Sequence, residues 1–152
     1  MTPDTASDLD PRVRNEVYQH FVETAAAPTV PDIARRLGLD PGAVRASYQR
    51  LFGRRVLVVA ADGDGIIMAP PFSGVPTQHR VRVGPREYFA NCAWDALGIL
   101  AALHQAGVVR SRCEQSLEPL EIHVDERGPS PVPCVIHFAV PAAHWWDNIA
   151  YT

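Results

Sequence analysis

The sequence contains no lysine, few cysteines and no long apolar run. All 14 basic residues are arginine, and against 17 acidic residues they leave a net charge of −3, so nothing draws the whole chain toward nucleic acid. Three cysteines in 152 residues are an odd number and too few for a disulfide framework, which favours reduced thiols kept for packing or reactivity. The absence of about 18 consecutive apolar residues excludes an ordinary transmembrane helix.

The composition and the first residues bear on size and location. A hydrophobic content of 47% is enough to bury a real core, and the length suits one compact unit or two very small domains. Residues 1–8 are polar and acidic, whereas a signal peptide would be basic and then apolar. We therefore expect a cytoplasmic protein with no membrane partner.

The first third of the chain predicts three helices. Asp10-Pro11 is typical of a helix start, and apolar residues then recur every four positions until Pro28. Thr29 caps a second, short helix that ends at Gly38, and Asp40-Pro41 opens a third. The spacing of small, glycine and aliphatic positions across the second and third helices is typical of a helix-turn-helix.

Two apolar strands with a glycine-rich turn follow the helices. The strands are Arg55–Ala60 and Ile66–Ala69, and the turn is Asp62-Gly63-Asp64-Gly65. We therefore predict a winged-helix-like domain over residues 1–74. Its DNA-binding candidates are Arg45, Ser47, Gln49 and Arg50 on the third helix, with Arg54 and Arg55 at the base of the wing. The acidic wing tip would repel phosphates, so a scaffold is the favoured interpretation and nucleic acid the less favoured partner.

The second half predicts a small mixed α/β domain over residues 75–152, with a central helix against a sheet. Pro70–Pro76 is typical of a stiff linker, and Gly84-Pro85 is expected to start the long helix. The other expected elements are strands at Arg80–Val83, Val108–Cys113, Leu117–Val124 and Val132–Val140, and a final helical turn or two within Pro141–Ile149. The predicted fold class is therefore α+β.

A thiol and a carboxyl stand three residues apart in the predicted central helix. Cys92 and Asp95 would share one helix face, where the thiol offers a soft nucleophile or metal ligand and the carboxyl can store a proton. Cys113 and Cys134 follow downstream. We expect Cys113 to be a packing residue on its strand, and Cys134 to be a candidate second thiolate.

The same residues carry a resemblance to a known family. The segment Tyr88–Leu97, then Arg110-Ser111-Arg112-Cys113, then Cys134–Pro141 with Trp146 beyond resembles the alkylmercury lyases, which cleave carbon–mercury bonds. The resemblance is good from Arg82 onward and weaker in the first half. The chain stops at Thr152, earlier than the family's domain, so either a short or divergent member or a truncated product is expected.

The resemblance implies a mechanism. Cys92 and Cys134 would hold mercury transiently as thiolates, and Asp95, in contact with the same ion, would deliver the proton that releases the hydrocarbon. In the family's register its second catalytic cysteine falls on Pro133, and Cys134 is the next residue. A bulge at that proline would let Cys134 turn toward Cys92. No cofactor is implied, and the expected partner is an organomercurial or another soft, thiol-reactive small molecule.

Two alternatives stay open from the residues alone. A winged helix joined to reactive thiols is also how a regulator that senses metals or thiol stress would be built, without catalysis. A related lyase could keep Cys92 and Asp95 and act on a substrate that contains no mercury.

Overall fold

A computed structural model describes residues 6–149 of the chain. Three helices come first and are followed by a small antiparallel sheet with the strand order β1-β2-β3. These elements are α1 (Ala6–Thr24), α2 (Val30–Leu37), α3 (Pro41–Gly53), β1 (Val58–Val59), β2 (Ile66–Ala69) and β3 (Phe72–Ser73). The predicted number and order of the helices are confirmed.

The short helices begin and end where their capping residues predict. Thr29 and Asp32 form a reciprocal capping box at the start of α2, and this helix ends at Gly38, whose φ of 65° suits a residue without a side chain. Asp40 caps α3 by accepting from two backbone N–H groups. The start of α1 was predicted wrongly, because Asp10 lies inside that helix and its side chain binds α3.

Both predicted wing strands are present; the second has the predicted bounds, Ile66–Ala69, and the first is shorter than expected. Arg55 has a left-handed φ of 61°, so extended structure begins only at Val58. The expected linker is not only a connection, since Phe72–Ser73 within it pairs with β2 as β3. Winged-helix architecture and a domain boundary at residue 74 stay predictions.

The second half is built on a five-stranded antiparallel sheet with the order β5-β4-β6-β7-β8. One helix, α4, packs on it through buried Ala96, Ile99 and Leu100, against Val81 and Val109 of the sheet. These elements are β4 (Arg80–Val83), β5 (Arg86–Phe89), α4 (Ala93–Leu103), β6 (Gly107–Arg112), β7 (Pro119–Asp125) and β8 (Gly128–Pro129). The predicted helix on a sheet is confirmed.

Two expectations for the second half are wrong. Gly84-Pro85 turns the chain between β4 and β5, so Tyr88 and Phe89 belong to a strand, and the helix expected to include them begins at Ala93. The strand expected at Val132–Val140 is an irregular segment, which leads to a 3-10 helix at Ala142–Asp147. That helix lies where the final helical turns were predicted.

One hydrophobic core runs through both halves. Phe72 stacks on Phe21 of α1 at 5.3 Å between ring centroids and contacts Tyr88 of β5 at 5.6 Å. The Tyr88 hydroxyl donates to the carbonyl of Val22 (2.9 Å), and Phe72 forms a β-bridge with Ala90. The first half therefore packs against the second half through these contacts. The predicted α+β class is confirmed. None of the described helices combines the length and apolar character that crossing a bilayer requires.

Candidate active site

Cys92 is the N-cap of α4. Its backbone is extended, with φ −151° and ψ 178°, and its Sγ accepts a hydrogen bond from the backbone N–H of Asp95 at 3.4 Å. The two residues therefore meet through the cap of the helix, with Cys92 just before the first turn and Asp95 inside it. The sequence predicted the proximity correctly, but it predicted the wrong geometry, because the helix starts later than expected.

Asn91 is a site residue that the sequence analysis missed. Its side-chain Nδ2 donates to Asp95 Oδ2 at 2.9 Å, and the same nitrogen reaches the carbonyls of Pro71 (3.4 Å) and Phe72 (3.3 Å). The four-residue spacing of an amide and a carboxyl at the start of a helix was the available signal. Asp95 is partly buried behind this amide.

Burial raises the pKa of the Asp95 carboxyl, and hydrogen bonds from Asn91 and Cys92 offset only part of that rise. Burial also raises the pKa of the Cys92 thiol, opposed by the backbone N–H of Asp95 and reinforced by the nearby carboxylate charge. Each group therefore favours its neutral form more than it would in water. A cation that binds sulfur would displace the thiol proton, and the carboxyl is placed to take it.

The first half of the chain supplies one wall of the site. The Tyr18 hydroxyl of α1 donates to the carbonyl of Pro70 at 3.0 Å. Burial raises the pKa of Tyr18; the charge of Arg14 opposes this rise and the charge of Asp95 adds to it. Pro71 lies against Gly98 of α4, where an added Cβ would come within 3.4 Å of the proline ring. The carboxyl thus lies at the start of α4, linked through Asn91 to the proline segment that Tyr18 of α1 holds in place.

An aromatic group connects the irregular C-terminal segment to the start of α4. Trp94 is 56% exposed, and its ring contacts Phe138 edge-on at 6.1 Å. Phe138 in turn contacts Trp145 at 5.1 Å, and the Trp145 indole N–H donates to the carbonyl of Val140. Residues 138–145 therefore lie beside the helix that carries Asp95.

The other two cysteines, Cys113 and Cys134, have surroundings different from that of Cys92. Cys134 is exposed in the irregular segment, and Cys113 follows the end of β6, where its Sγ accepts from the backbone N–H of Ser116. Within residues 6–149, neither forms a hydrogen bond with Cys92. The same part of the chain contains no group of three or more His, Cys, Asp or Glu side chains placed to hold a metal ion.

The candidate DNA-contact residues of α3 are largely engaged within the protein. The guanidinium of Arg45 pairs with Asp64 at the wing tip, and Arg50 binds Asp10 at 2.6 Å. Ser47 is fully buried and donates to the same carboxylate at 2.7 Å. These contacts give Arg45, Ser47 and Arg50 structural roles. They also leave little positive charge on α3 free to contact phosphates.

Comparison with known proteins adds an independent observation. The family model described as alkylmercury lyase matches residues 72–152, more than half of the chain and the part that carries Cys92 and Asp95. A solved structure, the mercury-bound form of MerB2, matches with a TM-score of 0.63 and 26% identity, over 80% of this chain and 58% of that one. This chain therefore aligns with less than two thirds of that protein's length. A search of curated proteins finds no match. The chain belongs to the alkylmercury lyase family.

Proposed function

We propose that this protein cleaves carbon–mercury bonds by protonolysis, with Cys92 binding the mercury and Asp95 delivering the proton. The observation that carries the proposal is the meeting of two partly buried residues, a thiol and a carboxylic acid, at the start of α4, where the backbone N–H of Asp95 donates to Cys92 Sγ. Mercury in the matched structure of MerB2 supports this ion as the one bound. A soft cation prefers a thiolate to the other ligands that proteins offer.

The proton balance follows from the two side chains. An alkylmercury cation bonds to Cys92 Sγ, and the thiol proton passes to the Asp95 carboxylate. A second thiolate then joins the mercury and increases the electron density on the carbon. The carbon–mercury bond breaks with its electron pair on carbon, and carbon takes the proton from Asp95. The products are the hydrocarbon and a mercuric ion on two thiolates, and the carboxylate is regenerated.

We propose Cys134 as the second thiolate. It is exposed and lies in a segment without regular hydrogen bonding, four residues before the Phe138 ring that contacts Trp94. Two sulfurs on one mercury ion must lie within about 5 Å of each other, from metal–sulfur bonds of about 2.3 Å for a comparable ion. Binding of mercury by both residues would therefore require Cys134 Sγ to lie within that distance of Cys92 Sγ.

The test follows hydrocarbon release. Ethylmercury chloride and excess small thiol are mixed with wild type, Cys92→Ser, Cys134→Ser and Asp95→Ala, with Cys113→Ser as the matched thiol control. We expect ethane release from wild type and the control. We expect a loss of about 10²-fold or more in Asp95→Ala, the usual contribution of a positioned proton donor, and loss in both cysteine variants.

Each failure has its own meaning. Turnover unaffected by Cys134→Ser would remove that residue from the mechanism and leave a small thiol as the second ligand. Ethylmercury bound at Cys92 without ethane release in wild type would overturn the lyase proposal in favour of a protein that binds thiol-reactive compounds. Tight DNA binding at physiological salt, lost in Arg45→Ala, would favour a regulator.

A further inference from the structure

The Asn91 side chain connects the proton donor to the backbone of the first half. One nitrogen, Nδ2, lies within hydrogen-bonding distance of three acceptors, which are Asp95 Oδ2 (2.9 Å) and the carbonyls of Phe72 (3.3 Å) and Pro71 (3.4 Å). The shortest contact is the one to the carboxylate. The amide therefore holds one oxygen of Asp95 against a rigid part of the fold.

The surrounding oxygens fix the orientation of this amide. Because all three neighbours of Nδ2 are oxygens, a flipped amide would place Asn91 Oδ1 against two carbonyls and a carboxylate, which is repulsive. In the observed orientation Oδ1 is buried and, within residues 6–149, accepts no hydrogen bond. A buried acceptor without a donor is destabilising, and an apolar side chain of the same size would avoid that cost. The hydrogen bonds that Asn91 Nδ2 donates must therefore offset the cost of leaving Oδ1 unpaired.

Holding the two halves together does not require this amide. The Tyr88 hydroxyl already donates to Val22, the Tyr18 hydroxyl to Pro70, and Phe72 forms a β-bridge with Ala90. The first contact joins β5 to α1, and the other two fix the proline segment against α1 and against Ala90, which directly follows β5. What Asn91 adds beyond them is the bond to Asp95.

We propose that Asn91 is a positioning residue that locks the Asp95 carboxyl in the orientation needed for proton delivery at Cys92. The inference rests on the proposed function. Without the amide, the carboxylate is free to turn toward the N-terminal end of α4, whose positive dipole end attracts anions. With Oδ2 held by Asn91, Oδ1 is the oxygen left to exchange the proton with the atom bonded to Sγ. Asn91 itself neither binds mercury nor transfers a proton.

The test separates binding from chemistry. Asn91→Leu removes the donor and the unpaired acceptor at similar volume, and Asn91→Gln keeps a donor on a longer arm. Thr77→Val is the matched control, since the Thr77 hydroxyl donates to the neighbouring Ala90 carbonyl at 2.6 Å without contacting Asp95. Ethylmercury bound per protein is measured by mass spectrometry, and ethane release is measured in a single turnover.

We expect all three variants to bind one ethylmercury at Cys92. Release should fall about tenfold or more in Asn91→Leu, recover in part in Asn91→Gln and stay within about twofold of wild type in Thr77→Val, since misplacing a catalytic group slows the chemical step. Release in Asn91→Leu within about twofold of wild type would overturn the proposal. Equal loss of binding and release would do the same.

A second measurement needs neither turnover nor an Asn91 variant. In mercury-free protein, the side-chain amide signals of Asn91 in a ¹⁵N–¹H spectrum should shift when Asp95 is changed to Asn, because a charged acceptor is lost. Unchanged signals would refute the contact itself. If wild type releases no ethane, the lyase proposal fails while this shift still decides whether Asn91 holds Asp95.

Discussion

Replacing Asp10 by alanine should destabilise the protein strongly, although this residue is far from the thiol. The Asp10 side chain is 1% exposed. It accepts from Ser47 Oγ at 2.7 Å and from Arg50 Nη2 at 2.6 Å, and Arg54 lies at 3.5 Å. The variant would leave the Ser47 hydroxyl buried without its partner and Arg50 without its counter-charge.

The expected loss in the free energy of unfolding is about 3 kcal/mol. Breaking a buried ion pair usually costs about 3–5 kcal/mol, and the lower end applies because the Arg50 side chain is one-third exposed and regains water. Urea unfolding followed by circular dichroism measures the change. Glu121→Ala is the matched control, since its pair with Arg110 lies on the surface and should contribute nothing measurable.

The pH dependence of this loss has a definite sign. Burial alone would raise the pKa of Asp10, but hydrogen bonds from Arg50 and Ser47 and the nearby arginine charges lower it below the ordinary value of 3.8. Its stabilising contribution is therefore complete above about pH 4 and is lost as the pH falls through the lowered pKa. The gap between wild type and Asp10→Ala should narrow at acid pH. A loss under about 1 kcal/mol, or a gap that does not change with pH, would refute this account.

Two further predictions concern backbone space and thiol reactivity. Gly74→Ala would place a Cβ 1.9 Å from the Ile66 carbonyl oxygen and should lower the free energy of unfolding by about 3 kcal/mol. Gly53→Ala should be neutral or slightly stabilising, because the space around this helical position is open. Thermal unfolding of both variants measures the difference. Hydrogen bonds from Ser116 lower the pKa of Cys113 while burial raises that of Cys92, so iodoacetamide near pH 7.5 should modify Cys113 before Cys92, as measured by peptide mapping. Faster modification of Cys92 would contradict the electrostatics described for the site.

Elements set by local contacts were predictable from the sequence. Thr29, Gly38 and Asp40 act within four residues of their own helix ends, so their patterns are visible without knowledge of the fold. The contact between Cys92 and Asp95 was predictable for the same reason, since the two residues are three positions apart in the sequence. Its geometry was not, because cysteine is not among the usual N-cap residues and the apolar spacing of Tyr88–Ile99 fits a helix.

Elements that depend on distant partners were not predictable. A strand at Val132–Val140 needs a neighbour, but β7 pairs beyond β6 only with the two residues of β8, and prolines at 129, 131 and 133 remove backbone donors. The contacts of Asn91 were not predictable because its side chain lies against carbonyls about twenty positions earlier in the chain. Whether Cys134 joins Cys92 depends on that same irregular segment and stays a prediction.

The position of β3 has a consequence for recombination. Phe72 and Ser73 fall inside the family-matched residues 72–152, but they pair with β2, which lies outside them. Their neighbours in the core come from α1 and β5 alike. In a chimera joined near residue 74, the aromatic rings around Phe72 would come from two different parent proteins. A crossover that exchanges the second half must therefore carry α1 and β2 with it or redesign the contacts of Phe72.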